Sequence, residues 1–266
     1  MSSQPHQSDP GVLDRRTLAR DHRVLADLLQ PGMAVLDVGC GTGAITRGIA
    51  EAVDPDGTVV GVDRDRGLID RARAAHADVS NLRFIEADIA RLELDSRFDI
   101  VAAARTLQWI ADVPAALRGM ARAATPEGML VILDYNHSLH EWHPGPPHAF
   151  ADFYACFLAW REANGWDNTI ANRCPALLEE IGCREVRAVG QDRTVTRGAP
   201  EFEEATALWV AVIDHLGPTM VRAQACAPSL IDLARRQYDA WRYDNLETHT
   251  VSMRASMGRV PLRTAL

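Results

Sequence analysis

The segment at residues 33–43, MAVLDVGCGTG, restricts the fold more than any other part of the sequence. An apolar run leads directly into Gly39, Gly41 and Gly43, and AITRGIAEAV at 44–53 then places apolar residues on one helical face. Glycine permits a positive φ and lets a ligand approach the backbone with no Cβ in the way. The pattern therefore predicts a strand, a tight turn and a helix, with a ligand held against the turn.

The same alternation of strand and helix continues as far as residue 134. Each predicted strand is apolar almost throughout, which is typical of parallel strands that are covered on both faces. We therefore expect an α/β fold of the Rossmann-like type. The predicted strands after the first are TVVGVD (58–63), LRFIEAD (82–88), FDIVAAA (98–104) and GMLVILDY (128–135).

The rhythm changes after Asp134, where HSLHEWHPGPPH introduces histidine, proline and glycine. We expect helices at about 148–164, 174–182, 200–216 and 228–241, strand character in CREVRAVGQDRTVT, and a last strand in LETHTVSMRASMG. This half is interpreted as a helical cap inserted after strand five. The expected domains are a helical lead at 1–32, a nucleotide-binding core at 33–136, and at 137–266 a cap plus the last strands that complete the sheet.

Composition excludes several classes of protein. The formal net charge is −8 and the arginines are scattered, so we expect no nucleic-acid partner. Five cysteines without a CxxC pair disfavour a disulfide framework and a zinc site, and we expect no metal. The start MSSQPHQSDPG lacks the features of a signal peptide, and no long apolar run is present, so a cytoplasmic protein without a membrane partner is expected.

Two carboxylates, Asp37 and Asp88, discriminate between the candidate ligands of the glycine turn, whereas Asp63 does not. Gly39, Gly41 and Ala44 also satisfy the dinucleotide pattern, and Asp63 at the end of the second strand suits the ribose of either kind of adenosine cofactor. Asp37 lies directly before the glycines, where it repels a pyrophosphate and attracts a cation. Together with Asp88 at the end of the third strand, it favours a positively charged amino-acid nucleoside.

These segments resemble the class I S-adenosylmethionine-dependent methyltransferases, in the branch of small-molecule enzymes of the ubiquinone/menaquinone and natural-product type. The resemblance implies a seven-stranded sheet whose last strand is antiparallel, with S-adenosylmethionine as cofactor and S-adenosylhomocysteine as product. It covers about a hundred residues in the family's order. The matching segments are VLDVGCGTG (35–43), VVGVD (59–63), FIEADI (84–89), FDIVAAARTLQWIAD (98–112) and PEGMLVILD (126–134).

The resemblance also implies roles for single residues. The methionine end of the cofactor is expected to contact Asp37, Gly39, Cys40, Gly41 and Gly43. The ribose is assigned to Asp63, and the adenine to Arg64, Asp88 and Ile89. Ala104 and Arg105 are expected to pass beneath the sulfonium and amino group. Arg105 departs from the neutral or aromatic residues expected there, and a contact to a carboxylate or to substrate is predicted for it.

The acceptor is expected beside the segment that follows strand five, because ligands of open α/β sheets lie outside the carboxyl ends of the strands. Methyl transfer requires mainly in-line positioning, and a general base only where the acceptor carries a proton of high pKa. Tyr135 and His137 are the candidate catalytic residues, with His137 as the base. An aromatic or heteroaromatic acceptor, methylated on oxygen or nitrogen, is suggested by possible stacking on Trp109, Trp142, Trp160 and Trp209.

Two other functions stay open from the sequence. One is an NAD-dependent oxidoreductase, because the glycine pattern suits both cofactors. The other is a non-catalytic protein of the methyltransferase type that acts through a partner. The chain is expected to be a monomer or a homodimer, with a small molecule as its acceptor.

Overall fold

The computed structural model describes residues 10–89, 91 and 97–261. Contacts divide the chain into two units. Of the described residues, the sheet unit comprises those from 10 to 134, 170–191 and 254–261, and the insert unit comprises 135–169 and 192–253. The first nine residues of the predicted lead and the last five of the predicted cap lie outside the described residues.

The sheet unit contains a seven-stranded sheet among the described residues, in the order β3-β2-β1-β4-β5-β10-β7. Its neighbouring strands from β3 to β5 are all parallel, and β10 is antiparallel to β7, as predicted for the last strand. The predicted fold class is thus confirmed. The strands are β1 Ala34–Val38, β2 Thr58–Asp63, β3 Leu82–Glu86, β4 Phe98–Ala104, β5 Ala124–Tyr135, β7 Arg184–Gly190 and β10 Met253–Arg259.

Helices cover both faces of this sheet. Val35 and Leu36 are neighbours on β1, yet their side chains join two different apolar clusters, because successive strand residues point to opposite faces. One cluster includes Ile49 and Ile69 and the other Leu117. The helices are α1 Pro10–Leu13, α2 Leu18–Asp21, α3 Arg23–Leu28, α4 Ala44–Val53, α5 Arg66–Ala75, α6 Val113–Ala123 and α8 Ile170–Glu180.

The insert unit has its own small sheet and three long helices. The strands β6 Glu141–His143, β9 Thr248–Val251 and β8 Arg193–Thr196 pair antiparallel in that order. The helices are α7 His148–Ala163, α9 Phe202–Arg222 and α10 Pro228–Asp244. Aromatic side chains fill the space between these elements, and Phe150 stacks on Tyr238 with a centroid distance of 4.2 Å. None of the described helices, in either unit, is long and apolar enough to cross a membrane.

The sequence prediction differs from the structure in the second half of the chain. The strand-like stretch 183–196 breaks at Gln191 and continues in a different sheet, and the tail breaks in the same way at Ser252. Helix α8 belongs to the sheet unit, so the segment after residue 136 is not one continuous insertion. Helix α8 begins at residue 170, four residues before the predicted start at 174. Helix α9 continues through Pro218 and ends at Arg222, beyond the predicted end at 216. Periodicity indicates that a segment is a strand, but it does not indicate which sheet the strand joins.

Candidate cofactor site

The glycine turn between β1 and α4 has the backbone that the sequence predicts. Gly39, Gly41 and Gly43 have φ of +71°, +56° and +79°, a region that L side chains rarely adopt. A Cβ on Gly39 would come within 2.3 Å of the Thr106 side chain, and one on Gly43 within 2.5 Å of the Phe84 ring. Backbone geometry and packing therefore both require glycine, and the turn presents bare backbone.

Asp37 is a buried carboxylate at the tip of β1. Its side chain is 4% exposed, and Oδ2 accepts a hydrogen bond of 2.6 Å from the Thr46 hydroxyl. Burial raises the pKa of Asp37 to about 6; the Thr46 hydrogen bond opposes this rise, and the charge of Asp63 adds to it. Because burial makes the ionised form of Asp37 unfavourable, a cation beside this carboxylate stabilises that form strongly.

Asp63 ends β2 and holds the turn in place. Its Oδ2 accepts a hydrogen bond of 2.9 Å from the Gly41 N–H, and its Oδ1 accepts one of 2.9 Å from the Asp65 N–H. Burial raises the pKa of Asp63, against the effect of these two hydrogen bonds. Each carboxylate oxygen has two lone pairs, so ribose hydroxyls can still donate to it. The role of Asp63 as a tether of the glycine turn was not predicted from the sequence.

Cys40 contributes its backbone to the turn. The N–H groups of Gly39 and Cys40 both donate to the Val62 carbonyl, at 2.7 and 3.0 Å, which fixes the turn on β2. Burial, together with the charges of Asp37 and Asp63, raises the pKa of the Cys40 thiol well above its usual value. The thiol is therefore neutral and unreactive near pH 7.

The residues predicted to contact adenine lie at the tips of β2 and β3. The Ala87 N–H donates to the Asp63 carbonyl at 2.9 Å, which brings Asp88 beside the end of β2. The Asp88 side chain is 53% exposed, Arg64 is exposed, and Ile89 is buried in the apolar cluster of α6. The structure thus brings these residues together, and their contact with adenine stays a prediction.

The segment after β4 lies against the glycine turn. Ala104 ends β4, and Arg105 follows it with a left-handed φ of +58° while its N–H donates to the Leu133 carbonyl at 2.7 Å. The Thr106 hydroxyl donates to the Val38 carbonyl at 3.2 Å. Trp109 is half-buried at the end of a short 3-10 turn.

The N-terminal helices form a further part of this site that sequence reasoning missed. A Cβ on Gly41 would come within 2.9 Å of Leu13, and Asp14 forms an ion pair with Arg71 of α5. Apolar spacing indicates helix in this region, but it carries no information about which part of the fold the helix covers. Leu13, in the segment predicted as a lead, thus packs on the glycine turn.

The candidate catalytic residues Tyr135 and His137 lie in the insert unit. Their ring centroids are 5.3 Å apart, and His137 lies 5.0 Å from the ring of His140. Burial lowers the pKa of His137 well below its usual value, and the positive charge of Arg161 adds to this effect. His137 is therefore neutral near pH 7 and a weak base. Its predicted catalytic role stays a prediction.

Three of the tryptophans assigned to the acceptor pack within the insert unit. Trp209 and Trp160 are 3% and 6% exposed, and Trp142 stacks on His249 at 5.1 Å with an angle of 13° between the rings. Trp209 also contacts Tyr154 edge to face at 5.1 Å. Core packing accounts for these rings, so their contact with an acceptor stays a prediction.

No group of three or more potential metal ligands comes together within residues 10–89, 91 and 97–261. In particular, His140 and His143, three residues apart in the sequence, are not part of such a group. The chemistry of the described site is that of bare backbone and buried carboxylates. Such a site fits an organic cation.

Comparisons with known proteins agree on one family. Residues 29–171 match the family model described as a methyltransferase domain. The trans-aconitate 2-methyltransferase of Deinococcus radiodurans is 29% identical over 202 residues, which are 73% of this chain and 76% of that protein. The ubiquinone/menaquinone biosynthesis C-methyltransferase of Shewanella oneidensis is 35% identical over 116 residues, 42% of this chain and under half, 46%, of that protein.

A solved structure gives the same fold. Phosphoethanolamine N-methyltransferase 2 of Haemonchus contortus, in complex with phosphomonomethylethanolamine and S-adenosylhomocysteine, superposes with a TM-score of 0.58. It is 17% identical, and the match covers 91% of this chain and 52% of that one. At this identity the likeness shows the fold alone.

Proposed function

This chain belongs to the family of the methyltransferase domain, and we propose that it methylates an oxygen of a small organic carboxylate. It is an S-adenosylmethionine-dependent methyltransferase of small molecules, as the resemblance of its motifs implies. The NAD-dependent oxidoreductase and the non-catalytic binding protein are not favoured by these matches. The cofactor is settled at the level of the family, and the acceptor is the part that we propose.

We propose that the glycine turn and its acidic neighbours hold the cofactor. The bound cofactor supplies a methyl group on a positively charged sulfur, which is already electrophilic. Asp37 complements that positive charge and the α-ammonium group, and Asp63 accepts hydrogen bonds from the ribose hydroxyls. The bare backbone from Gly39 to Gly43 allows close approach. The remaining work of the protein is to place the acceptor in line and to exclude water.

One observation carries the choice of acceptor: the buried titratable groups of the insert unit are poor bases near neutral pH. Burial lowers the pKa of His140 to about 4 and that of His249 to about 3, and it lowers the pKa of His137 as well. Burial also raises the pKa of the Tyr154 phenol. A phenol, an alkylammonium group or a carbon acid must lose a proton before it attacks, whereas a carboxylate is already ionised. An acceptor that needs no base fits these residues best.

Similarity to the Deinococcus protein supports the same choice. That relative is named for trans-aconitate, an organic acid, and its match extends over 73% of this chain. The quinone-pathway relative matches 42% of the chain. An aromatic acceptor, which the tryptophan content suggests, is the alternative, although core packing already accounts for those rings.

A direct assay separates the two acceptor classes. The protein is incubated with S-adenosylmethionine and either a panel of di- and tricarboxylates that includes trans-aconitate or a panel of phenols and hydroquinones. Formation of S-adenosylhomocysteine and the mass of the methylated product are measured. We expect methyl esters from the first panel. Methylation confined to the second panel would contradict the proposal.

A further inference from the structure

His22 is a buried side chain whose polar atoms are unused in the described part of the chain. It lies between α2 and α3 and is 0% exposed, and neither ring nitrogen has a hydrogen-bond partner among the described residues. Buried polar atoms in folded proteins nearly always have partners, so such a residue calls for an explanation. Burial and the charge of Arg105 lower the pKa of His22 to about 3. Its ring is therefore neutral, with one N–H donor and one acceptor nitrogen.

The chain neighbour of His22 links it to two guanidinium groups. Asp21 is buried, and its Oδ1 accepts from Arg105 Nη2 at 3.3 Å while its Oδ2 accepts from Arg20 Nε at 2.9 Å. Arg105 Nη2 also donates to the Asp21 carbonyl at 3.2 Å. The Arg105 side chain is 4% exposed. A neutral imidazole and a buried guanidinium thus lie on adjacent parts of the sheet unit.

His22, Asp21 and Arg105 lie at the same edge of the sheet as the glycine turn. Arg105 directly follows the tip of β4, and the next residue, Thr106, fills the space above Gly39. Leu13, from the helix that precedes α2, packs over Gly41. The left-handed backbone of Arg105 is strained for a residue with a Cβ, and such strain is concentrated at functional sites.

We propose that His22 and Arg105 together bind a carboxylate of one of the reactants. His22 donates its ring N–H to a carboxylate oxygen, and the Arg105 guanidinium supplies the complementary charge. The carboxylate belongs either to the methionine end of the cofactor or to the organic acid that is methylated. The second source rests on the acceptor proposed above, and the first does not.

The variant His22→Phe separates binding from simple packing. Phenylalanine keeps the ring and removes both unpartnered nitrogens, so the ligand-free protein should melt at the same temperature or higher. The affinity for the reactant that carries the carboxylate should nevertheless fall about tenfold, because one charge-assisted hydrogen bond is lost. Opposite changes in melting temperature and affinity are not expected of a residue that only packs.

The cofactor source is tested by calorimetry with two probes, S-adenosylhomocysteine and its decarboxylated analogue. Wild-type protein should prefer the intact compound by about tenfold or more if the cofactor supplies the carboxylate. His22→Phe and Arg105→Gln should then bind both compounds with nearly equal, weaker affinity. Arg242→Gln, which alters a buried ion-paired arginine of the insert unit, serves as the matched control and should keep the wild-type preference.

The acceptor source is tested on protein saturated with S-adenosylhomocysteine. Trans-aconitate and succinate should then raise the melting temperature of the wild type and of Arg242→Gln, and the shift should be lost in His22→Phe. Arg105→Gln removes one of the two guanidinium groups that donate to the buried Asp21 carboxylate. Should this variant fail to fold, His22→Phe decides alone because it removes no charge.

Two results overturn the inference or separate it from the acceptor proposal. If His22→Phe keeps both the wild-type preference for the intact cofactor product and the wild-type response to organic acids, His22 and Arg105 bind no carboxylate. If no organic acid affects the wild-type protein while the preference for the intact compound disappears in His22→Phe, the acceptor proposal fails and the carboxylate site stands.

Discussion

The two units of this molecule bury polar groups in opposite ways. In the sheet unit, Asp37 and Asp63 are buried carboxylates whose pKa values are raised, and both accept hydrogen bonds at the edge of the glycine turn. In the insert unit, His137 and His249 are buried imidazoles whose pKa values are lowered inside an aromatic core. The first arrangement is unfavourable until a cation arrives, whereas the imidazoles of the second are neutral and carry no charge that needs a partner. Buried carboxylates with raised pKa values beside a bare-backbone turn therefore indicate a site for a cation.

The largest effect that tests this contrast is expected at Asp63. Asp63→Ala removes the carboxylate that tethers Gly41 and that is assigned to the ribose. Charge-assisted hydrogen bonds of this kind contribute about 1.5–3 kcal/mol, so affinity for S-adenosylmethionine should fall about 10- to 150-fold. Calorimetric titration measures this change. Asp78→Ala, which alters an exposed carboxylate paired with Arg47, is the control and should bind as the wild type does.

A variant of Asp37 should change stability and affinity in opposite directions. Asp37→Asn replaces a carboxyl group whose pKa lies about two units above the usual value, so the unfavourable burial of its charge is removed. The unfolding free energy of the ligand-free protein should therefore rise by about 1–3 kcal/mol near pH 7. The same change should weaken binding of the positively charged cofactor. Urea unfolding and calorimetry give the two quantities. Loss of stability together with unchanged affinity would mean that Asp37 is a structural residue.

The raised pKa of Asp37 also predicts a pH dependence with a definite sign. The folded protein holds this proton between pH 4 and about 6 and the unfolded chain does not, so stability of the ligand-free protein falls as pH rises through that window. Binding of the cation needs the ionised form, so affinity should fall as pH drops, by about tenfold per unit below pH 6. In Asp37→Asn this dependence should flatten. An affinity that is constant from pH 8 to 5 in the wild type would exclude Asp37 as the partner of the cation.

The smallest effect is expected in the insert unit. His137→Gln should leave cofactor affinity unchanged and lower turnover by less than about tenfold, because a buried imidazole with a lowered pKa contributes little as a base. The pH–rate profile and the turnover number are the measurements. A loss of a hundredfold or more, with disappearance of one limb of the profile, would restore His137 as the general base and argue against a carboxylate acceptor.

The sequence predicts the sheet unit well because its signals are local. The glycine turn needs Gly39 and Gly43 at fixed positions, and the carboxylates at the tips of β1 and β2 follow directly from the ends of the apolar runs. The family and the cofactor were predicted from the same residues and are confirmed. Local pattern and long-range fold agree in this part of the chain.

The insert unit and the N-terminal helices could not be predicted to the same depth. The change from one sheet to the other at Gln191 and Ser252 depends on pairing with distant segments, which periodicity does not reveal. Tryptophans such as Trp209 look alike in sequence whether they line a pocket or fill a core. The contacts of Leu13 with the glycine turn and of Asp21 with Arg105 join residues far apart in the chain, so they become visible only in three dimensions.

Titration of the protein at pH 7.5 with S-adenosylmethionine and, separately, with NADH tests the central claim most directly. The protein should bind the sulfonium compound at one site per chain, beside the two buried carboxylates and the bare-backbone turn. Titration with NADH should give no heat, because the carboxylates repel the pyrophosphate of the dinucleotide. Binding of NADH at the turn, or the absence of any heat with S-adenosylmethionine, would contradict the electrostatic basis of the site.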